Sequence, residues 1–428
     1  MKIKLGIVGL GTVGTGVVKI IEKNRSVYKK EYGIEIIITG ISAKNKKKKR
    51  SFNIENYCWY DNPLKMASSE EVDIVVELIG GTKGLPLNLA KCSLKNKKHF
   101  VTANKAMIAT YGNSLINLAN KNGVNLNFEA SVAGGIPIIR LIQNSLLSGK
   151  ITSIYGILNG TCNYILTQMR EHKVSFSEAL FKAQKLGFAE SDPYDDISGM
   201  DTAYKLSILS NLTYGVKSMV KNIYIEGISD IQKIDLNMAD KLNYTILLLG
   251  ISNYKNQNVL QRVHPCLVSK NSMLTKVSNE INTVVLEDNH AGKILIVGKG
   301  AGEIPTASAV VTDILNFNET KKKNIYTNSK NKAIIAQTGR LGDRKGKFYI
   351  RILAQDKPGV LADITSFFKR LQVSIKIMFQ LEERIKSMVP LIFVTHSVSE
   401  SQINLAINKI RKLKKVERKI TIIRIEDV

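Results

Sequence analysis

The first third of the chain alternates short apolar runs with longer amphipathic segments. Ile3 to Val8 and Val72 to Leu78 are rich in β-branched residues, and such runs are typical of buried strands in a parallel sheet. After the first run, apolar residues recur at helical spacing, at Val13, Val17, Ile20 and Ile21. This order of strand and helix predicts an α/β domain.

Three further strands and a helix complete this predicted domain. The strands are expected at Glu35 to Gly40, His99 to Lys105 and Leu126 to Ala130, and the helix at Leu85 to Lys95. Lys105 then stands at the carboxyl end of a strand, and in open α/β sheets this end faces the crevice where ligands bind. Lys105 is therefore a candidate ligand contact, with an ordinary surface lysine as the equally weighted alternative.

A glycine-rich turn, Gly9-Leu10-Gly11-Thr12-Val13-Gly14, joins the first strand to the first helix. Gly9 permits the tight turn, Gly11 lets the backbone approach a pyrophosphate, and Gly14 lets the helix pack on the strand. The phosphate would then lie on the helix N-terminus. Because a strand precedes the motif and a helix follows it, we interpret it as a Rossmann dinucleotide site rather than an ordinary turn.

The end of the second strand indicates which dinucleotide is bound. A free ribose 2′-hydroxyl usually pairs with an acidic residue there. This chain instead has Ser42-Ala43-Lys44-Asn45 and then a basic run from Lys46 to Arg50. Cations without that acid favour a 2′-phosphate, so the sequence predicts NADP, with NAD as the alternative. Lys44 is the candidate contact, and the basic run is otherwise a solvated loop.

From about residue 149 the pattern becomes mixed, which predicts an α+β substrate domain. Its elements are expected at Ile154 to Leu158, Phe176 to Leu186 (a helix), Ile246 to Leu249, Leu260 to Val263, Asn282 to Leu286 and Lys293 to Val297. A second glycine-rich loop, Gly298 to Gly302, precedes a predicted helix at Thr306 to Leu315. This loop and helix indicate that the chain returns to the nucleotide domain.

The C-terminal segment has its own pattern of strands and helices. Strands are predicted at Phe348 to Ala354, Ser374 to Leu381, Val389 to Thr395 and Lys419 to Ile425, and helices at Val360 to Leu371 and Ser401 to Leu413. The order βαββαβ is that of a ferredoxin-like sandwich. The predicted domains are thus 1–135 completed by 300–318, 136–299, and 348–428, with a polar linker over 319–347.

The stretch Ala183 to Lys205 is acid-rich in a basic chain. It contains Glu190, Asp192, Asp195, Asp196 and Asp201, interrupted by glycine and proline. Ser198 with Asp201 three residues later predicts a capping box at the start of a buried helix. Asp201 and Lys205 are spaced i, i+4 and would share one helix face. A solvated acidic loop with a structural salt bridge is as compatible with this spacing as a functional site.

Composition excludes several classes of protein. The 428 residues suffice for two or three domains, and no apolar run reaches the ~18 residues of a membrane span. The cysteines Cys58, Cys92, Cys162 and Cys266 are scattered without a CxxC pair. This distribution fits a protein of the reduced cytoplasm without a cysteine metal site.

The net charge of +26 comes from 62 Lys and Arg against 36 Asp and Glu. The lysines are spread along the whole chain, and no helix-turn-helix, zinc-finger or RNA-recognition pattern accompanies them. We therefore expect no nucleic-acid or membrane partner. Anionic small ligands are the better interpretation.

Several of these motifs resemble those of the homoserine dehydrogenases, in the monofunctional form with a C-terminal ACT domain. The stretch Ala183 to Lys205 resembles the signature of that family. Other matching motifs, in the family's order, are TANK at Thr102, EASVAGGIP at Glu129, NGTCNYIL at Asn159, GKGAGEIPTASAVV at Gly298 and DKPGVLA at Asp356. The resemblance covers nearly the full length, and the form fused to an aspartokinase is not indicated.

The resemblance implies interconversion of L-homoserine and L-aspartate 4-semialdehyde with a nicotinamide cofactor, in threonine, methionine and isoleucine biosynthesis. A lysine near carboxylates in a partly dry site can act as a general acid, so we expect Lys205 to donate the proton and Lys105 to assist near the nicotinamide. The substrate ammonium needs carboxylates, and Glu190 and Asp201 are the candidates. The cluster from Asp192 to Asp196 would shape the loop, and Asp196 is a further candidate for the substrate site.

Other site residues rest on the resemblance alone. Gly187 would belong to the substrate and cofactor sites, and Thr12, Val13, Thr102 and Gly302 to the cofactor site. A structural sodium ion would be held by Glu129, Val132, Gly134 and Ile136. The loop Ser131 to Pro137 could offer carbonyls to a hard cation, but it fits a simple domain crossover equally well.

The ACT domain implies feedback inhibition by an amino acid, with L-threonine as the expected effector. ACT domains usually pair, so at least a homodimer is expected. Two features depart from the family pattern: Cys162 stands where Thr or Ser is expected, and the region after the second strand has Lys44 and no Arg-Asp pair. The second departure bears on cofactor preference.

Two other functions compete with this interpretation. A semialdehyde dehydrogenase could use Cys162 as a thiolate nucleophile, although no histidine near it in sequence offers a base. A non-catalytic regulator could bind nucleotide and amino acid through the first and last domains, but it would not need Lys205.

Overall fold

The first domain is a parallel sheet covered by helices, as the apolar runs predict. The computed structural model describes residues 1–216, 220–317, 337–382, 384–385 and 387–428. The first strands are β1 (Lys2–Val8), β2 (Glu35–Ser42), β3 (Cys58–Trp59), β4 (Ile74–Glu77), β5 (His99–Thr102) and β6 (Leu126–Asn127). The helices are α1 (Thr12–Tyr32), α2 (Pro63–Ser68), α3 (Leu85–Lys95) and α4 (Lys105–Lys121). The sheet order β3-β2-β1-β4-β5-β6 is that of a Rossmann domain.

The second part of the chain is a mixed domain. Its helices are α5 (Ile138–Arg140), α6 (Gly160–Glu171), α7 (Phe176–Lys185), α8 (Tyr194–Ile197), α9 (Met200–Tyr214) and α10 (Lys233–Lys241). Its strands are β7 (Ile151–Ile157), β8 (Tyr224–Ile225), β9 (Tyr244–Lys255), β10 (Asn258–Ser269), β11 (Ile281–Asp288) and β12 (Gly292–Lys299). Buried α9 packs on this sheet, so its first turn lies near the domain boundary.

The chain then returns to the Rossmann domain through α11 (Glu303–Leu315). A Cβ added to Gly16 of α1 would lie 3.0 Å from the Ala307 side chain, so the two helices pack closely. Ala307, Val310 and Ile314 join the buried core of the parallel sheet. Most of the predicted linker, residues 319–336, lies outside the described residues.

The C-terminal domain has the predicted βαββαβ order. After the short strand β13 (Gln337–Thr338), its elements are β14 (Lys345–Ala354), α12 (Val360–Arg370), β15 (Ile375–Gln380), β16 (Val389–Thr395), β17 (Val398–Ser399), α13 (Glu400–Ile410) and β18 (Thr421–Glu426). The main strands pair in the order β18-β14-β16-β15, and both helices contribute to one apolar core. The ferredoxin-like prediction is confirmed.

The last two domains share one sheet. Strand β18 pairs in parallel with β10, with Cys266 opposite Arg424 and Val268 opposite Glu426. The described chain therefore has a second sheet of twelve strands that runs from the substrate domain into the C-terminal domain. Short 3₁₀ helices lie at Ile54–Asn56, Glu129–Ser131, Val220–Asn222, Met273–Lys276 and Leu341–Asp343, and a π-helical turn lies at Leu141–Ser145.

Three local predictions differ from the structure. The strand expected to end on Lys105 stops at Thr102, because Asn104 caps α4 by accepting a hydrogen bond from the Met107 amide at 3.0 Å. The strand expected through Ala130 ends at Asn127. The capping box at Ser198 is wrong: Ser198 keeps the helical backbone of α8, and Gly199, at φ 88°, caps α9 instead. Among the described residues, no helix combines the length and hydropathy that crossing a membrane requires.

Candidate active site

Two lysines from different domains meet at one buried carboxylate. Lys105 of the Rossmann domain pairs with Oδ1 of Asp201, and Lys205 of the substrate domain pairs with Oδ2 at 2.8 Å. The Asp201 side chain is 2% exposed, whereas that of Lys105 is 39% exposed. The i, i+4 pairing expected within α9 is therefore present, and it extends across the domain boundary.

Local structure explains how these three side chains converge. Lys105 is the first residue of α4 and follows the carboxyl end of β5, where Rossmann folds place their ligands. Asp201 lies in the first turn of α9, and Lys205 lies one turn further on the same face. A Cβ on Gly199 would lie 3.1 Å from the Val263 side chain, so glycine permits both the left-handed backbone and the packing of this turn.

The end of β7 supplies polar partners to this cluster. The Lys205 ammonium donates to the Leu158 carbonyl oxygen at 2.7 Å, and that oxygen also accepts from the Asn282 amide at 3.0 Å. The Asn159 side chain donates to Asp196 at 2.7 Å and to Asp201 at 2.8 Å. These contacts fix the carboxylates in place, since most of their partners are themselves buried.

Burial and charge separate the two lysines chemically. Burial lowers the pKa of Lys205 below its ordinary value, although Asp201 opposes that shift. The Asp201 charge raises the pKa of Lys105. Burial alone would raise the pKa of Asp201, but the two lysines outweigh it and hold that pKa well below the usual range. At neutral pH the cluster therefore holds an ionised carboxylate, a firmly charged Lys105 and a lysine that loses its proton more readily.

The other acidic candidates surround this cluster at different depths. Asp196 is half-buried, and burial followed by the Asp201 charge raises its pKa. Glu190 and Gly187 are exposed on the turn between α7 and α8. The Glu190 backbone oxygen accepts from Gln184 at 3.1 Å, and among the described residues its carboxylate forms no ion pair. Asp196 thus lies within the cluster, whereas Glu190 is at the surface.

The glycine turn forms the expected cradle at the start of α1. Gly9 has φ 102°, and its amide donates to the Ser42 carbonyl at 2.9 Å. A Cβ on Gly14 would overlap the Gly9 carbonyl, whereas a Cβ on Gly11 would meet open space. Thr12 and Val13 form the first turn of α1, whose N-terminus has no side-chain cap. The turn fits a phosphate of a dinucleotide, because no side chain caps the α1 N-terminus and the space beside Gly11 is open.

The remaining cofactor candidates have distinct environments. Gly302 precedes α11 with φ 115°. Thr102 is buried, and its hydroxyl donates to Glu77 at 2.5 Å, so this side chain is already engaged. Lys44 is exposed after β2. Beyond it, Arg50 donates to the carbonyls of Asn45 and Lys48 at 2.7 and 2.8 Å, so this guanidinium shapes the basic loop from inside.

Comparisons with known proteins agree over the whole chain. Residues 137–315 match the family model described as homoserine dehydrogenase, residues 9–129 match the homoserine dehydrogenase NAD binding domain, and residues 348–415 match the ACT domain. A homoserine dehydrogenase of Neisseria gonorrhoeae is 36% identical over 432 residues, which cover 100% of this chain and 99% of that protein. The chain belongs to the homoserine dehydrogenase family.

Solved structures of this family have the same fold. A homoserine dehydrogenase from Thiobacillus denitrificans superimposes with a TM-score of 0.89 at 36% identity, covering 100% of this chain and 99% of that one. The S. aureus homoserine dehydrogenase at pH 7.5 gives a TM-score of 0.78 at 32% identity, with coverage of 100% and 99%. A hyperthermophilic archaeal homoserine dehydrogenase mutant, described in complex with NADPH, gives 0.64 at 27% identity over 76% of this chain and 100% of that one.

Glu129 and Asp313 form a buried acidic pair. The family resemblance assigns Glu129 and the loop beside it to a sodium ion. Glu129 accepts from the amides of Ile139 and Arg140 at 2.8 and 2.9 Å. Burial, followed by the charge of Asp313, raises the pKa of Glu129 to about 7. Two buried carboxylates here share one cation, Arg140. Because Glu129 has a pKa of about 7, it is only partly ionised near neutral pH, and the pair carries less negative charge than two full carboxylates. Val132, Gly134 and Ile136 are buried in the adjoining loop.

The environment of Cys162 disfavours a thiolate nucleophile in this family member. The side chain is fully buried, and its sulfur donates to the Asp196 carbonyl at 3.1 Å. Burial, followed by the charges of Asp196 and Asp201, raises the pKa of the Cys162 thiol well above its ordinary value. A reactive cysteine needs the opposite shift.

Asn159 is a site residue that the sequence interpretation missed. It caps α6 by accepting from the Cys162 amide at 2.7 Å while its amide group holds Asp196 and Asp201. Its position after a strand and before a helix indicates the cap. Its contact with carboxylates about forty residues later along the chain has no local sequence signal.

Proposed function

We propose that this chain interconverts L-homoserine and L-aspartate 4-semialdehyde with a nicotinamide dinucleotide. The observation that carries the proposal is the pair of lysines that share the Asp201 carboxylate across the domain boundary. One lysine follows the cofactor edge of the Rossmann sheet, and the other projects from the substrate domain. A carbonyl carbon that accepts hydride between these elements would have its oxygen beside two ammonium groups.

Lys205 is the proposed proton carrier. An ammonium group has three donors, and in Lys205 two of them point to Leu158 and Asp201. Within the described part of the chain no further acceptor bonds the third, which would donate to the substrate oxygen. Because burial lowers the pKa of Lys205, it gives up a proton to a developing alkoxide more readily than an ordinary lysine. In the reverse direction the neutral amine accepts the hydroxyl proton of homoserine.

Lys105 has a different proposed role. Its pKa is raised by Asp201, so it stays charged throughout the reaction. A fixed positive charge near a developing alkoxide stabilises the transition state without moving a proton. The 39% exposure of its side chain leaves it accessible to the substrate.

The acidic residues divide into positioning and binding roles. We expected Asp201 to bind the substrate ammonium, but its Oδ2 already accepts from Lys205 and Asn159, and its Oδ1 forms an ion pair with Lys105. This engagement supports a role in holding the lysines together. Asp196 and Glu190 retain acceptor capacity, and they are the proposed partners of the ammonium, with Gly187 lining the turn beside Glu190.

The glycine turn from Gly9 to Gly14, together with Gly302, is the proposed dinucleotide site, and the nicotinamide would supply or accept the hydride. The N-terminus of α1 would hold the pyrophosphate. The exposed Lys44 after β2 supports NADP over NAD, because this position has a cation and no acid.

A monovalent cation, sodium by family resemblance, is a further part of the proposal. The Glu129 carboxylate uses two of its roughly four acceptor sites on backbone amides. Carbonyls of Val132, Gly134 and Ile136 would complete a hard-oxygen site. The cation would offset the acidic pair and hold the crossover between domains.

The ACT domain supports two proposals about regulation and assembly. An amino acid, L-threonine by family resemblance, would act as feedback inhibitor through this domain. Pairing of ACT domains would give a homodimer or a higher oligomer. Rates measured with and without threonine, together with light scattering, test these two points.

Initial rates with L-homoserine and either NADP or NAD test the proposed reaction. We expect reduction of the nucleotide that depends on both substrates, with the higher kcat/KM for NADP. L-serine and L-threonine at the same concentrations are controls for side-chain length and branching. Turnover of these controls with no turnover of homoserine would contradict the proposal.

A further inference from the structure

The ACT domain is linked to the acidic substrate loop by a partly buried ion-pair cluster and a short stretch of backbone. Arg424, on the last ACT strand, is 3% exposed in its side chain. It donates to Glu400 of α13 from Nε at 3.0 Å, and to Glu226 of the substrate domain from Nη1 at 2.8 Å. The Tyr224 hydroxyl accepts from Arg424 at 3.0 Å and donates to Glu226 at 2.8 Å. One guanidinium thus joins a carboxylate of each domain.

The segment that carries Glu226 lies against the turn between α8 and α9. The Glu226 amide donates to the Val263 carbonyl at 2.8 Å, and the Ile228 amide donates to the Ile197 carbonyl at 3.0 Å. Between them, a Cβ on Gly227 would overlap the Ile197 carbonyl oxygen. Backbone therefore contacts backbone here, and no flexible side chain separates the two segments.

That turn holds the substrate-site carboxylates at both of its ends. Asp196 directly precedes Ile197, and Asp201 follows two residues after Gly199. A Cβ on Gly199 would lie 3.2 Å from Ile225 and 3.5 Å from the Glu226 carbonyl, so the cap of α9 also packs on the 224–228 segment. A shift of this segment would displace Asp196 and Asp201 relative to Lys105, which another domain holds.

We propose that Glu226 is a positioning residue for the substrate site, and that the ACT domain holds it in place through Arg424. A change in the ACT strand that carries Arg424 would then reach the substrate carboxylates through Glu226, Gly227 and Ile197. The proposal rests on the homoserine reaction proposed above. The proposal predicts that a change in the ACT strand alters the affinity for the substrate and not for the nucleotide. The reason is that the glycine turn that would bind the nucleotide lies beside the other sheet.

The chain offers a matched control for Glu226. Asp230 pairs with Lys419 of the ACT domain at 2.5 Å, so it is also a substrate-domain acid bound to an ACT cation. Its side chain is 67% exposed, against 36% for Glu226. Asp230 lies four residues further along the chain, and among the described residues its side chain bonds Lys419 and makes no hydrogen bond to the 197–199 turn.

The first test compares KM values in Glu226→Ala and Asp230→Ala. Arg424 keeps its contacts to Glu400 in the first variant, so the fold should persist. We expect Glu226→Ala to raise the KM for homoserine by about five-fold or more, the lower end of typical coupling effects. The KM for NADP should stay unchanged, and Asp230→Ala should leave both constants unchanged. If the substitution only destabilised the fold, the fraction of active enzyme would fall, and the KM values for homoserine and NADP would both stay unchanged.

The second test asks whether the effect runs through the ACT domain. Arg424→Lys retains a cation for Glu400 but loses the planar fork that also reaches Glu226. Its effect on the homoserine KM should therefore not add to that of Glu226→Ala in the double variant. Gly227→Ala should raise the same KM, since its methyl group displaces the Ile197 carbonyl.

The outcomes separate this inference from the reaction proposed for the chain. An unchanged homoserine KM in both Glu226→Ala and Gly227→Ala, in a wild type that oxidises homoserine, would overturn the positioning role alone. Additive effects in the double variant would overturn the link to the ACT domain. A wild type without homoserine oxidation would remove the proposed reaction and this inference with it.

Discussion

Lys105 and Lys205 belong to different domains and bind opposite oxygens of the same buried carboxylate, that of Asp201. A buried ion pair across a boundary is costly to break, because the remaining charge loses its partner in a low-dielectric site. The arrangement therefore fixes the distance between the cofactor edge and the substrate domain. It also gives the two lysines different acidities, as the proposed mechanism requires.

The variant Asp201→Asn tests how this carboxylate tunes Lys205. In the proposed mechanism of homoserine oxidation the neutral Lys205 amine accepts a proton, so the rate should rise with pH through the Lys205 pKa. Burial lowers that pKa, and the Asp201 charge opposes the lowering. Removing the charge should lower the pKa further, and the ascending limb should move to lower pH by about 1 to 3 units.

The pH dependence of kcat/KM for homoserine measures this shift. Asp195→Asn is the matched control, because Asp195 is an exposed carboxylate of the same acidic stretch. Asp195→Asn should shift the ascending limb of the pH profile far less than Asp201→Asn does. A limb that moves to higher pH in Asp201→Asn would show that Asp201 does not stabilise the charged form of Lys205.

The variant Cys162→Ser separates the proposed reaction from thiolate catalysis. A serine hydroxyl can donate to the Asp196 carbonyl, as the Cys162 thiol does, and Ser is similar in size. Turnover of homoserine should stay within about two-fold of wild type, since the change keeps this hydrogen bond. Loss of turnover, together with a covalent acyl-enzyme in the wild type by mass spectrometry, would favour a nucleophilic cysteine.

Lys44 is predicted to determine the preference for NADP. A charge-assisted contact to phosphate is worth about 1.5–3 kcal/mol, so Lys44→Ala should lower kcat/KM for NADP by about ten-fold or more. Values for NAD should not change. Lys30→Ala, which removes an exposed lysine at the end of α1, is the control.

Binding without turnover offers a second measure of this preference. Trp59 is the only tryptophan of the chain, and Lys46 and Arg50 lie 5.7 and 5.8 Å from its ring centre. Trp59 thus lies beside the basic loop that follows Lys44. Energy transfer from Trp59 to a reduced nucleotide bound there should report binding directly. Equal NADPH affinity in wild type and Lys44→Ala would assign the preference to another residue.

A buried ion pair is expected to stabilise the junction between the substrate and ACT domains. Asp235 of α10 is fully buried, and it accepts from Arg351 of β14 at 2.8 Å and from the Tyr349 hydroxyl at 3.0 Å. Asp235→Ala leaves Arg351 without its carboxylate, which should cost about 3–5 kcal/mol of unfolding free energy.

Thermal unfolding followed by circular dichroism measures this loss. Asp230→Ala breaks the exposed pair with Lys419 between the same two domains, and it should cost about 1 kcal/mol or less. The two variants differ in the burial of the pair and in the helix cap of α10, because Asp235 also accepts from the Gln232 amide at 2.9 Å. A similar fall in Tm for both would show that burial does not decide the contribution.

Local chemistry explains what the sequence could predict. The glycine turn from Gly9 to Gly14 requires a specific backbone path, so its strand and helix follow from the residues alone. Helix α3 has the predicted bounds, Leu85–Lys95. The C-terminal βαββαβ order follows from alternating apolar segments and turn residues in the same way.

Long-range contacts explain what the sequence could not predict. The acidic first turn of α9 is compatible with a solvated surface until Lys105 and Asn159 are brought onto Asp201 by other elements. The pair Arg424 and Glu226 is separated by 198 residues, and neither residue has a local signal for burial. The shared sheet of the substrate and ACT domains likewise depends on the pairing of β10 with β18, which no pattern within either strand specifies.

The kcat of Lys205→Ala for homoserine oxidation tests the central claim most directly. Lys185→Ala, an exposed lysine at the end of α7, serves as the control, and circular dichroism confirms that both variants fold. We predict a fall in kcat of about 10²-fold or more for Lys205→Ala, the usual scale for lost general acid–base catalysis, with no change in the control. A variant that keeps the wild-type kcat and only raises the KM for homoserine would contradict the role of Lys205 as the proton carrier.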